Sequence, residues 1–443
     1  MSLLPGHDGL RLDQAPPLSI PARFFATIPV TFLAIGLLLL WHGGAALTTR
    51  WAAPTVALTH LLTLGLAAMA MIGALYQMIP VVAGVPVPQI GLAKPVHALL
   101  VVGLTALVSG LLAPTQWIFH VAQWTLGGAL AGFLLPVALA TMRAPTKSPT
   151  VTGMRMALAA AITLLILGLL LAWQYASGVY SPHRPLLLTT HALVGTLGWV
   201  GTLVVAVSWQ VLPMFYLCAP PSSRAQNSFL IIIAASLGLA VLATLASVVG
   251  LPLGPLPPQQ LVAWLALPAG AVVWGAAPLF TLRALRKRKR PRKDASLRFW
   301  FGSQVAAIAT AAGVLLTLAI DDERALLATA WVAAVGWAAG TIHGMLTRIV
   351  PFLVWFHRFS ALVGLQSVPP MNRLWPDRWA RAGSWAHATL LLLGLAAIGL
   401  QSDTLARLSG LAAAATALCL AVGLYKVLSA QPVAAATTAT AIS

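Results

Sequence analysis

Charge and cysteine are the scarcest features of this chain. Of its 443 residues only 8% are charged, eight are acidic and two are cysteines. Soluble domains carry about 25% charged residues, so an ordinary water-facing surface is excluded. Cys218 and Cys419 are too few for a disulfide framework, and neither sits in a Cys-X-X-Cys-His sequence, so any haem is held without a covalent bond. Apart from Lys94 and Lys426 at their edges, the expected membrane spans hold no Asp, Glu or Lys. Ion-coupled transporters and proton pumps usually keep such groups inside the bundle.

What is present is apolar. Hydrophobic residues make up 59% of the chain and mean hydropathy is +0.90, the composition of an integral membrane protein. Runs of about 20 apolar residues, enough for a helix to cross the hydrocarbon layer, recur along the whole length. They predict twelve transmembrane helices at 22–41, 53–82, 94–113, 117–142, 152–175, 186–216, 228–250, 260–282, 299–320, 325–355, 382–401 and 405–427.

Basic residues fix an orientation. With the N-terminus in the cytoplasm, 22 of the 26 Lys and Arg residues fall inside, nine of them between Arg283 and Arg298. The outside keeps Arg50, Arg184, Arg324 and Arg407 with Asp321, Asp322, Glu323 and Asp403. That asymmetry follows the positive-inside rule, and twelve spans return the C-terminus to the cytoplasm. The run from Arg286 to Lys293 either fixes topology or attracts anionic lipid. No folded basic domain accompanies it, which argues against nucleic acid as a partner. The lipid bilayer is the partner that composition implies.

Three segments repeat. Thr63-Leu64-Gly65 leads to Tyr76-Gln77-Met78-Ile79-Pro80, Thr196-Leu197-Gly198-Trp199 to Trp209-Gln210-Val211-Leu212-Pro213, and Val335-Gly336-Trp337 to Thr347-Arg348-Ile349-Val350-Pro351. Glycine precedes proline by 15 residues each time (80−65, 213−198, 351−336), and successive prolines lie 133 and 138 residues apart (213−80, 351−213). A period that long is a helical bundle rather than a solenoid turn. The expected fold is therefore an all-α integral membrane protein of twelve transmembrane helices in a pseudo-threefold arrangement of three four-helix repeats. The expected division is a cytoplasmic leader at 1–21, repeats at 22–142, 152–282 and 299–427, a basic cytoplasmic loop at 283–298 and a disordered tail at 428–443. The connection 356–381, with Trp375 and Trp379 among arginines, is expected at the inner membrane interface.

Histidine carries the remaining polar chemistry. His60, His120 and His191 fall near the outer ends of the second, fourth and sixth spans, and His42 and His183 in outer connections. His97, His343, His357 and His387 fall toward the inside. A neutral imidazole either ligates haem iron or copper or is simply hydrogen-bonded within the bundle. His60 and His191 each follow a threonine and precede a motif glycine. The glycines Gly65 and Gly198 permit either close helix packing or the approach of a flat ligand. His343, Arg348, Gln77 and Gln210 form a separate inner polar patch, in which Arg348 is expected to snorkel toward the cytoplasmic interface.

Twelve helices in three units, His60, the segment Gly73 to Pro80 and the segment His191 to Pro213 resemble subunit I of the heme-copper oxidase superfamily, in particular its divergent NnrS-like branch. The resemblance implies a protein of a bacterial-type inner membrane that binds b-type haem, with copper as the other candidate metal. It also implies electron transfer or the handling of nitric-oxide and respiratory stress, and partners such as a cytochrome c or another respiratory subunit. His60 matches the low-spin haem ligand, and His191 lies on the helix that supplies a copper ligand. With His120 and His42 as second contacts, these are the candidate ligands. The oxidase pattern then fails: Thr329 and Trp331 stand where a His-X-His pair is expected, and the seventh span has no histidine. A proton-pumping oxidase is therefore not expected. Two other readings stay open, a permease for an uncharged solute and a cofactor-free partner of a respiratory complex.

Overall fold

A computed structural model of the protein describes residues 14–145, 147–289 and 294–432. Twelve helices among them are long and apolar enough to cross a membrane. They are α1 (Ser19–Leu47), α2 (Ala53–Ala83), α3 (Ile90–Leu112), α4 (Gln116–Arg143), α5 (Pro149–Ser177), α6 (Arg184–Tyr216), α7 (Ser223–Val248), α8 (Pro258–Arg286), α9 (Ala295–Ala319), α10 (Glu323–Arg358), α11 (Asp377–Leu400) and α12 (Asp403–Leu428). No strand occurs among the described residues beyond an isolated bridge between Val363 and Gln366. Every expected span is found. Most of the proposed leader and tail, and the basic residues Arg290, Arg292 and Lys293, lie outside the described residues.

The helix starts follow local chemistry. Ser148, Ser222, Asp294, Asp322 and Ser402 each accept a hydrogen bond from a backbone N–H of the first turn, and Pro54, Pro149, Pro185 and Pro258 occupy first-turn positions where no donor is lost. Asp294 draws the start of α9 back to Ala295, and α11 starts at Asp377 behind Pro376. Both helices thus begin four or five residues before the apolar run, and the connection between α10 and α11 is correspondingly shorter than 356–381.

α2, α6 and α10 are not uniform α-helices. Each widens into π-helix, at Leu61–Ala68, Val194–Gly201 and Val332–Ala339. The three stretches start 133 and 138 residues apart (194−61, 332−194), the same intervals as the prolines. A π-stretch disturbs the regular backbone ladder, and carbonyls inside all three accept from side chains. Thr31 Oγ1 donates to Gly65 O at 2.9 Å, Thr202 Oγ1 to Leu197 O at 3.0 Å, and His387 Nε2 to Val335 O at 3.0 Å.

Neighbour pairings recur too. α1 packs on α2, α5 on α6 and α9 on α10, while α3 pairs with α4, α7 with α8 and α11 with α12. α4 packs on α5, α8 on α9 and α12 back on α1, and the π-stretches of α2 and α10 touch. Motif glycines sit where helices meet. A Cβ on Gly65 would lie 2.7 Å from Thr31 Cγ2 and 2.8 Å from Leu104 Cδ2; on Gly198, 2.8 Å from Ala160 Cβ; on Gly336, 2.9 Å from Ala306 Cβ.

Candidate functional site

Two histidine clusters stand at different depths. The first is His60 with His191. His60 closes the first α-helical part of α2, immediately before the π-stretch, and its Nδ1 donates to Val56 O at 2.8 Å. A carbonyl only accepts, so the proton is on Nδ1 and Nε2 keeps its lone pair, the arrangement in which imidazole serves as a ligand. His191 lies three residues before the π-stretch of α6, as His60 lies directly before that of α2. The carbonyl of Leu164 and the backbone of Gly168 flank its ring, and its Nδ1 has no hydrogen-bond partner. Both side chains are half-buried.

The other outer candidates stand apart in their contacts. His120 meets Trp173 edge-on at 6.0 Å, and His42 ends the α-helical part of α1. Among the described residues no group of three or more His, Cys, Asp or Glu could hold a metal ion. Gly65 and Gly198 are filled by Thr31, Leu104, Ala160 and Leu237, so they serve helix packing and form no cradle for a ring.

The second cluster lies toward the end of the bundle that carries the basic loop, here the basic end. His343 on α10 and His387 on α11 are 1% and 4% exposed, with their Nδ1 atoms 3.4 Å apart. Phe299 packs on the His343 ring at 4.3 Å, and Phe32 lies about equally far from both imidazoles, at 6.2 and 5.9 Å. Gly340 lies beside this contact, and it is Ser303 that needs the missing side chain. A Cβ there would lie 2.7 Å from Ser303 Oγ and 3.6 Å from His387 Nε2.

About 7.5 Å further along α10, five residues at helical rise, Arg348 is 6% exposed and ion-paired with Asp294. This corrects the expectation of snorkelling: the guanidinium turns inward, because α9 starts early enough to bring a carboxylate to it. Arg348, Asp294, Ser296, Thr347, Asn372, Trp375 and Asp377 line a pocket with about 30 Å³ of water-accessible space, room for roughly two waters. Tyr216 hydrogen-bonds Ser296 at its edge. Trp375, expected at the membrane interface, is buried against Gly423 of α12.

The anticipated inner patch is therefore two clusters. Arg348 pairs with Asp294 and His343 with His387, while Gln77 is buried with its Oε1 lacking a partner and Gln210 is half-buried.

No family model matches the chain, and a search of curated proteins returns no significant relative. The site has to be read from its own chemistry.

Sequence reasoning gave no site role to Asp294, His387 or Ser303. Asp294 was legible as a helix cap, since an Asp directly before an apolar run accepts from the first-turn amides. His387 was legible by depth, because it stands ten residues into α11 (387−377) and His343 fifteen from the end of the antiparallel α10 (358−343). Outside the spans, burial pushes the Cys218 thiol above its usual range. That thiol is a packing group rather than a nucleophile.

Proposed function

We propose that the protein is a divergent membrane bundle of the heme-copper oxidase subunit I type, built of three four-helix units in pseudo-threefold arrangement, in a bacterial-type inner membrane with both termini cytoplasmic. It holds b-type haem, with copper as the alternative metal, and serves electron transfer or the response to nitric-oxide and respiratory stress. Three matching π-stretches, three matching glycine contacts and the closed series of helix pairings support the three-unit reading. One observation carries the site: His60 and His191 stand just before the matching π-stretches of α2 and α6, with His60 Nδ1 bonded to Val56 O and His191 Nδ1 buried without a hydrogen-bond partner. His60 Nε2 fits an axial ligand whose Nδ1–H is fixed by Val56, and the orphaned Nδ1 of His191 fits a second donor. Haem would supply a one-electron couple whose potential these ligands tune.

The test is ultraviolet-visible spectroscopy and metal analysis of the protein purified after haem-supplemented expression, beside His60→Ala and His191→Ala. A Soret band that weakens or shifts in both variants is expected. A protein without that band, or one whose spectrum survives both changes, overturns the assignment.

A second reading, a permease for an uncharged solute, gains from the Arg348–Asp294 pair beneath a pocket at the basic end, since buried charge in a membrane bundle commonly marks a pathway. Solute uptake into vesicles that is lost in Asp294→Asn, with no haem bound, would select it.

A further inference from the structure

The buried groups between α9, α10 and α11 form a directed chain. His387 Nε2 donates to the Val335 carbonyl, which can only accept, so His387 Nδ1 is the acceptor and His343 Nδ1–H the donor of the 3.4 Å contact. Ser303 Oγ converges with His387 Nε2 over Gly340. Ser303 Oγ is buried and has no protein partner. Buried hydroxyls in that condition are satisfied by internal water. Below them, toward the basic end, lies the Arg348–Asp294 pocket.

From these observations we infer that the seam is a hydrated proton relay, running from the Arg348–Asp294 pocket through His343 and His387 to the π-stretch of α10. A proton accepted at His343 Nε2 leaves from its Nδ1 to His387 Nδ1. His387 then releases its Nε2 proton to water held by Ser303. One proton enters and one leaves, both rings end neutral with their tautomers exchanged, and the reverse tautomer shift resets the pair. Phe32 of α1 and Phe299 of α9 face the imidazoles with apolar rings. Cys419 of α12, whose Cβ lies beside Gly383 with His343 Nε2, is the other titratable group at the pair. Arg348 and Asp294 are the charges one step below. The relay stands whether or not the outer histidines hold haem.

The experiment is exchange of the imidazole N–H protons, followed by nitrogen-15 NMR of the uniformly nitrogen-15-labelled full chain in lipid nanodiscs after transfer to heavy water. In wild type the His343 and His387 N–H signals vanish while the α10 backbone amides persist. Ser303→Ala, which removes the water anchor without adding bulk, slows that loss by about tenfold or more, read against the same backbone amides as an internal control for opening of the fold. Imidazole protons that last as long as the backbone amides in wild type, or rates unchanged in Ser303→Ala, overturn the relay and leave a dry structural pair.

Discussion

At the scale of single residues, the buried ion pair has the largest predicted effect. Arg348→Met leaves the buried Asp294 carboxylate without its cation in a pocket with room for only about two waters, and breaking such a pair costs about 3–5 kcal/mol. The double variant Arg348→Met with Asp294→Asn removes both charges and keeps an N-cap oxygen for α9, so it should recover more than half of the loss. Thermal unfolding in detergent measures both. A single variant as stable as wild type would show that the pair is not energetically coupled. Glycines give a second contrast of this kind. A Cβ on Gly394 would lie 2.3 Å from the Trp331 ring, whose Nε1 donates to Leu391 O at 3.0 Å, whereas one on Gly302 meets nothing within 4 Å. Gly394→Ala is expected to destabilise by about 1–3 kcal/mol through overpacking, and Gly302→Ala to be neutral or to stabilise by up to about 1 kcal/mol through helix propensity. Equal melting shifts would refute the contact reading of these glycines.

At the scale of helices, spans were legible and their irregularities were not. Apolar runs fix where a chain crosses the bilayer, because hydrocarbon thickness sets the length. They say less about the ends. α9 and α11 start at Ala295 and Asp377 because charged residues that look like loop act as cap and first turn. The π-stretches have no composition of their own. Each centres on a motif glycine, but the extra backbone width is decided by neighbours such as Thr31 and His387, distant in sequence, that take a carbonyl. Asp322 shows the reach of a cap. Its hydrogen bonds from Arg324 hold the carboxyl below its ordinary 3.8, so what it contributes to the start of α10 is present above the unfolded value and is lost as pH falls through the lower folded one. Amide exchange at Arg324 and Ala325 should therefore accelerate only below pH 3.8. In Asp322→Asn, an uncharged cap, that acid-dependent step should be missing; the same step in the variant would assign it to another group.

At the scale of the molecule, the triplicated segment predicts three related units, and α4 packs on α5, α8 on α9 and α12 on α1, the pairings that a closed ring of such units would need. How α12 meets α1 was not legible, because chain connectivity joins α4 to α5 and α8 to α9 but not α12 to α1. The two meet through hydrogen bonds of Asp403 with Gly44 N–H and of Arg407 with Leu40 O, and through two glycines. A Cβ on Gly36 would lie 2.7 Å from Gly410 O, and one on Gly410 2.7 Å from Gly36 O, so the backbones touch where any side chain would part them. Gly36→Leu should therefore open this seam, at a cost of about 3 kcal/mol or more, the upper range for overpacking. The consequence extends to the inner histidines. α12 carries Cys419, 7% exposed, whose Cβ stands beside Gly383 of α11 where His343 also packs. In a Cys218→Ser background, Cys419 should resist a maleimide in the parent protein and react in Gly36→Leu at a temperature where both remain folded. If the leucine variant melts with its parent and keeps Cys419 protected, the packing of α12 on α1 does not depend on this crossing, and the hydrogen bonds of Asp403 and Arg407 to Gly44 and Leu40 hold it instead.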